Sequence, residues 1–407
     1  MKISRLLFIS ILSISFISCG ISTDNDIDLD IPADYTFTRN GSSSVSFSGQ
    51  TTRIKMATEL VSAMMAFDTS TEESLLEMFR NETSQGGDAD PFTDAELNAS
   101  TKSIKSKVAA SADFYSANTT ESAEVKADFE AWISAQVNEV FPNEDSLARP
   151  GVAGQIADGS STRYVSAKGL EYNQLVAKGL IGALMTDQML NNYLSVSVLD
   201  AGSNQQDNNS EVLVDGQNYT NMEHKWDEAY GYLFGASQDP ANPLATLGDD
   251  NFLNKYLGRV VDNPLFSTVG VDVYNAFKTG RAAIVASEYD IRDERANIIR
   301  DRISAVIAIR AIYYLQAGKD ALSGTEKDFG AAFHDLSEGY GFVYSLQFTR
   351  IPGTNAPFFT RSEVEGFLND LMGDGENGLW DVTPQTLDDI SASIAAKFNF
   401  NVEQAAS

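Results

Sequence analysis

HKWDEAYGY, residues 224–232, and HDLSEGYGF, residues 334–342, hold the only two histidines of this 407-residue chain. Both frames read His, a Glu four positions on, an aromatic, a glycine and another aromatic. On a helix, residues four apart share a face, so His224 is expected beside Glu228 and His334 beside Glu338. A carboxylate in that place fixes the imidazole tautomer and raises its pKa, or joins it as a metal ligand. If the frames faced each other, two imidazoles and two carboxylates would form a set able to hold Zn, Fe or Mn, as in the carboxylate sites of bundle cores.

A structural reading stands beside that one. Each Glu can serve as the hydrogen-bond partner that ties its His and its helix to a neighbour. Arg310 interrupts the apolar run ISAVIAIRAIYYL, and once buried it needs a carboxylate, for which Glu228 or Glu338 would serve. Ala229-Tyr230-Gly231-Tyr232 and Gly339-Tyr340-Gly341-Phe342 read as close helix packing. Trp226, Tyr230 and Tyr232 could stack a sugar or a porphyrin, and at helical spacing they suit a core equally well. Familiar catalytic patterns are missing: the chain has no HExxH, and no GxSxG, P-loop or GxGxxG stands in a fitting context. Asp374-Gly375-Glu376-Asn377-Gly378 lacks the ligand spacing of a calcium loop and reads as a turn.

The elements that must position these residues follow from periodicity. Residues 35–54 alternate around Asn40-Gly41, a pair that tolerates the positive φ angles of a type I′ turn, so a small hairpin is expected there. From Lys55 the pattern is helical, with Met56, Leu60, Ala63, Met64 and Phe67 on one stripe. Ser70 or Thr71 can cap a second helix, and 95–115 and 123–141 read as a third and a fourth. A loop is expected over 142–162. Further helices are expected at about 170–194, 222–234, 249–262, 271–286, 290–317, 327–348, 361–373 and 384–399. KGLIGALMTDQML, residues 178–190, aligns without gaps on RDRISAVIAIRAI, residues 300–312. That suggests an internal helix-pair repeat with halves at about 165–235 and 290–348, the first enlarged by polar sequence within 197–220.

Composition sets the outer limits. The net charge of −28 repels nucleic acid and anionic lipid, so neither is an expected partner. Lys2 and Arg5 precede an uncharged apolar run, Leu6 to Ser18, too short to span a bilayer, so residues 1–18 read as a signal peptide. Ser18-Cys19-Gly20 resembles the lipobox of bacterial lipoproteins, with Phe16 where Leu is usual. That resemblance makes Cys19 the lipidated first residue of the mature chain and 19–34 an acidic tether to the membrane. Cys19 is the sole cysteine, which leaves no disulfide, CxxC metal site or Cys nucleophile.

The segments SVSFSGQTTRI, TRIKMATEL, KGLIGAL, MEHKWDEAYGYLFG, GRAAI, the RDE…IIRD helix and HDLSEGYGFVYSLQF occur in this order. Together they resemble a family of Bacteroidetes lipoproteins classified as domain of unknown function 4856, over about residues 35–390. The resemblance implies an exported, mainly α module, anchored in the outer membrane on a face that stays open. A more remote resemblance is to imelysin-like proteins of iron uptake, which pair helical bundles and carry a GxHxxE motif. It implies a double helical bundle over 35–400 that binds a ligand or partner in iron or haem acquisition. A divalent metal such as Fe or Zn would then sit at His224, Glu228, His334 and Glu338, with Arg310, Asp227, Trp226, Tyr230 and Tyr340 in support. The implied partners are a TonB-dependent receptor or an imelysin-like protein. A metal-dependent peptidase using the same four residues and an accessory subunit of a receptor are the alternatives. Both frames here read His-x-x-x-Glu, and an acid stands at the third position, as Asp227, only in the first, so the imelysin ligand set does not transfer directly.

Overall fold

The computed structural model describes residues 29–323 and 325–407. The signal segment, Cys19 and the tether as far as residue 28 lie outside the described residues. Asn40 and Gly41 both take positive φ, 51° and 78°, and close the expected hairpin between β1 (Thr38–Arg39) and β2 (Ser42–Ser43). The strands are only two residues long. Their backbone is held from outside, by the Asn218 amide donating to the carbonyls of Arg39, Ser42 and Ser43.

Helix α1 (Ser48–Ala63) starts seven residues before the expected Lys55. The reason is tertiary: its first turn lies against a glycine of a later helix, and Gln50 and Arg53 are buried there. After α2 (Glu72–Arg80) the expected third helix, 95–115, is two single turns, α3 (Ala95–Asn98) and α4 (Ala112–Tyr115). Ser103 bonds locally to Ser106, and Ala109 takes a left-handed φ of 43°. The amides of Ala109, Ala110 and Ser111 then bond to Ala183 and Asp187 instead of continuing a helix.

Following α5 (Thr119–Ala135), the expected loop contains a second hairpin. Strands β3 (Gly154–Asp158) and β4 (Ser161–Val165) pair antiparallel through a two-residue turn at Gly159-Ser160. Its Gly, Ser and Asp content masks the alternation in sequence. The expected helix at 170–194 is α6 (Tyr172–Leu180) continued by two π-helical stretches, 181–186 and 189–193. Two short helices, α7 (Val196–Leu199), which begins one residue before the polar connection 197–220, and α8 (Asn204–Asn209) within it, follow.

The histidine frames lie on α9 (Asn221–Phe234) and on α13. Between them run α10 (Leu253–Val261), α11 (Val269–Val285) and the 34-residue α12 (Tyr289–Leu322), and α13 spans Phe329–Ser345. Helices α14 (Arg361–Gly373), α15 (Pro384–Ala395) and α16 (Val402–Ala406) complete the chain. Helix α12 packs along α11, α13 and α15, and α13 lies between α12 and α6. One contiguous apolar core joins these helices to α1, α5 and α9, so the molecule is mainly helical with two small hairpins. No described helix is long and apolar enough to cross a membrane.

Candidate functional site: two histidine pockets

Thr220 opens α9 with a capping box, its hydroxyl accepting from the Glu223 amide while the Glu223 carboxylate accepts from the Thr220 amide. His224 therefore stands in the first turn. Its Nδ1 donates to the Ser46 carbonyl at 3.1 Å, which leaves Nε2 facing Glu228 at 3.9 Å, and the ring stacks on Tyr219. Glu228 is already engaged: Lys225 donates to it at 2.7 Å and the Gln50 amide at 3.0 Å. Burial, only partly offset by Glu228, holds the His224 pKa below its ordinary 6.5.

The pocket beside this histidine, about 510 Å³, is lined by Arg53, Lys102, Lys107 and Lys225, with Glu228 as its one carboxylate. Arg53 is 6% exposed; its guanidinium donates to the carbonyls of Ser103 and Gly49 and forms no ion pair among the described residues. The ammonium groups of Lys107 and Lys225 both lie over the Tyr193 ring, at 5.7 and 5.6 Å from its centre.

At His334 both ring nitrogens face acids. Nδ1 meets Glu171 at 3.2 Å, and Nε2 meets Glu338 at 3.6 Å. Burial would lower this pKa, but the hydrogen bond and charge of Glu171, together with Glu338, carry it above 6.5. Glu338 also pairs with the buried Lys178 at 3.2 Å and accepts from Tyr256 at 3.1 Å. Despite its burial, Lys178 and His334 keep it below the usual Glu range. The adjoining pocket, about 650 Å³, is lined by Lys255, Arg259, Arg310, Tyr313, Tyr314, Asp262, Asp335 and Glu338. Burial lifts the Asp335 carboxyl to about 6.

Each His–Glu pair thus forms on its own helix face, but the four side chains do not converge. The two pockets share no lining residue. Among the described residues no group of three or more His, Cys, Asp and Glu side chains is placed to hold a metal ion. The donor sets explain why: Glu171 and Glu338 stand at opposite nitrogens of one ring, and the carboxylates of Glu228 and Glu338 are occupied by lysines. The expected shared Fe or Zn site does not fit this arrangement. Arg310 is corrected too. It is buried, yet neither Glu228 nor Glu338 pairs with it, and its Nε has no hydrogen-bond partner among the described residues. Its guanidinium lies instead over the rings of Tyr313 and Tyr314, at 4.0 and 4.5 Å.

The remaining supporting residues serve the fold. Trp226 is buried against Gly280, its indole donating to the Phe277 carbonyl. Tyr230 stacks on Tyr35 at 3.6 Å and donates to the Pro240 carbonyl. Tyr340 packs edge-on to Trp132, away from both histidine pockets. Asp227 is wholly buried in an ionic network: it accepts from Arg281 at 3.1 Å, from the Tyr35 hydroxyl at 2.8 Å and from the Ser46 amide. Arg281 also reaches Glu223, which pairs with Arg39 of the hairpin.

Sequence reasoning missed Arg53, Lys107 and Lys225, and likewise Glu171, Lys178 and Tyr256. Lys225 was legible, since it stands inside the frame three residues from Glu228. Arg53 and Lys178 stand in segments that carry the family resemblance, and Lys107, Glu171 and Tyr256 in segments that carry none, but nothing in the sequence joins any of them to a histidine.

The chain belongs to the family described as domain of unknown function DUF4856, whose family model matches residues 32–401. No curated protein matches it, and no solved structure does.

Proposed function

We propose that this member of the DUF4856 family is a lipid-anchored protein of the cell envelope that binds an anionic ligand in the His224 pocket. One observation carries the reading. In a chain with 57 acidic and 29 basic residues, four basic side chains and a histidine line one pocket that has a single carboxylate. Arg53 is buried without an ion-pair partner among the described residues, a cost that an anionic ligand offsets. The field of such a pocket draws anions against the repulsion of the surrounding surface. A role in iron or haem acquisition is compatible through the ligand: an anionic ferric chelate or a pair of propionates suits these cations, whereas a bare divalent ion does not. A hydrolase using His224, Glu228, His334 and Glu338 together has no support in a geometry that separates them.

The test is thermal unfolding and calorimetry of the untagged protein with citrate, ferric citrate and inorganic phosphate at low ionic strength. At least one anion is expected to bind and to raise Tm, with an effect that weakens as salt is added. Lys107→Gln and Arg53→Gln are each expected to weaken binding by about ten-fold, the loss of one charge-assisted contact. Lys107 is half-buried, so its variant retains the fold even if the Arg53 variant does not. Stabilisation by zinc or ferrous ion with no response to any of the anions overturns the proposal.

A further inference from the structure

We infer that the Arg310 pocket is a separate binding site for a small zwitterion, one carrying a carboxylate and an ammonium group as a free amino acid or a short peptide does. The inference stands on this pocket alone and does not depend on the His224 site.

Arg310 is 6% exposed and lines the pocket, with no described carboxylate paired to it and its Nε unsatisfied. Buried guanidinium groups are ordinarily matched by acids, so an unmatched one on a cavity wall marks where an acid arrives from outside. The Tyr313 and Tyr314 rings, perpendicular to each other, lie 4.0 and 4.5 Å from the guanidinium carbon and hold the group at the cavity wall, where it can grip a planar carboxylate. Asp335, half-buried on α13, lines the same pocket and has no hydrogen-bond or ion-pair partner among the described residues. The two opposite charges do not pair with each other.

Neither sign of simple ion satisfies this arrangement. An anion that meets Arg310, Lys255 and Arg259 also meets Asp262, Asp335 and Glu338, and a cation meets the same conflict reversed. A ligand with both charges satisfies both walls. The neighbouring His334–Glu338–Lys178 group is held by its own contacts, so the charges open to a ligand are those of Lys255, Arg259 and Arg310 of one sign and of Asp262 and Asp335 of the other. The volume, about 650 Å³, admits more than one residue of a peptide.

Calorimetry on the whole protein with L-phenylalanine, the dipeptide alanyl-phenylalanine and its N-acetyl and C-amide derivatives tests this. Binding of the free amino acid alone, or of the dipeptide alone, identifies the source of the zwitterion. Each blocked form is expected to bind about ten-fold more weakly or worse, because it leaves one charge unmatched. Arg310→Gln is expected to erase the preference for a free carboxylate, and Asp335→Asn the preference for a free amine. Lys327→Gln, exposed and lining neither pocket, is expected to change neither. Should Arg310→Gln fail to fold, Asp335→Asn and the two blocked peptides still decide. No heat from either zwitterion at about 1 mM, or equal binding of free and blocked peptides, overturns the inference.

Discussion

At His224 one ring nitrogen is spent on a backbone carbonyl and the other faces a carboxylate already held by Lys225, while at His334 both nitrogens face buried acids. The frames that present them are 110 residues apart and match in their packing positions. A Cβ on Gly231 would collide with Phe47 of the segment leading into α1, and one on Gly341 would collide with Lys178 of α6. Trp226 fills the space left by Gly280 of α11, and Leu336 fills the space left by Gly318 of α12. The glycines and apolar residues of the frame therefore do the same work twice. The charges around each imidazole come from other helices, and there the two regions part. One frame determines how a helix docks, and its neighbours determine what the histidine can do.

The position before Glu228 and Glu338 is where this contrast is sharpest. Asp227 accepts from Arg281 with both side chains wholly buried, whereas the matching Ser337 accepts from the Glu171 amide. Arg281→Met, which removes the ion-pair partner of the buried Asp227 while Glu223 keeps Arg39, is expected to cost about 3–5 kcal/mol in denaturant unfolding. Ser337→Ala is expected to cost about 1 kcal/mol, the worth of one neutral hydrogen bond. Equal losses in the two variants would break the asymmetry.

A smaller effect tests the likeness. Gly231→Ala and Gly341→Ala should each cost about 1–3 kcal/mol, because both force a methyl group into an occupied contact. Matching shifts in unfolding midpoint sharpen the parallel, and a neutral result at one site alone removes it.

The smallest effect is a matter of sign with pH. His334 has its folded pKa above 6.5, so its contribution to stability is full below 6.5 and is lost as pH rises through the folded value. His224 has its folded pKa below 6.5, so its contribution is present above 6.5 and is lost as pH falls through the folded value. With two histidines in the chain, imidazole proton resonances of the untagged protein resolve both. One should titrate on each side of 6.5, and two midpoints on the same side would contradict the opposed environments.

Helix periodicity was legible over most of the chain, since the apolar stripes of α1, α5 and α9–α15 report burial that each helix carries in its own spacing. Asn40-Gly41 likewise fixed a turn through backbone angles that those two residues tolerate. Legibility failed where a segment's partner is remote: residues 95–115 read as one helix, yet Asp187 and Ala183 take the amides of Ala109 to Ser111, and β3–β4 hid in a polar stretch.

The same division runs through the site. The i,i+4 spacing by itself determined that each histidine would stand beside its glutamate, because helix geometry alone sets that neighbour. Only the tertiary structure decided that the pairs would line different pockets, that Arg53 and Arg310 would be buried without acids, and that Glu171 and Lys178 would crowd His334. His334 and Glu171 stand 163 positions apart, His224 and Ser46 178, and charge–charge energy depends on distance in space, which spacing along the chain does not encode.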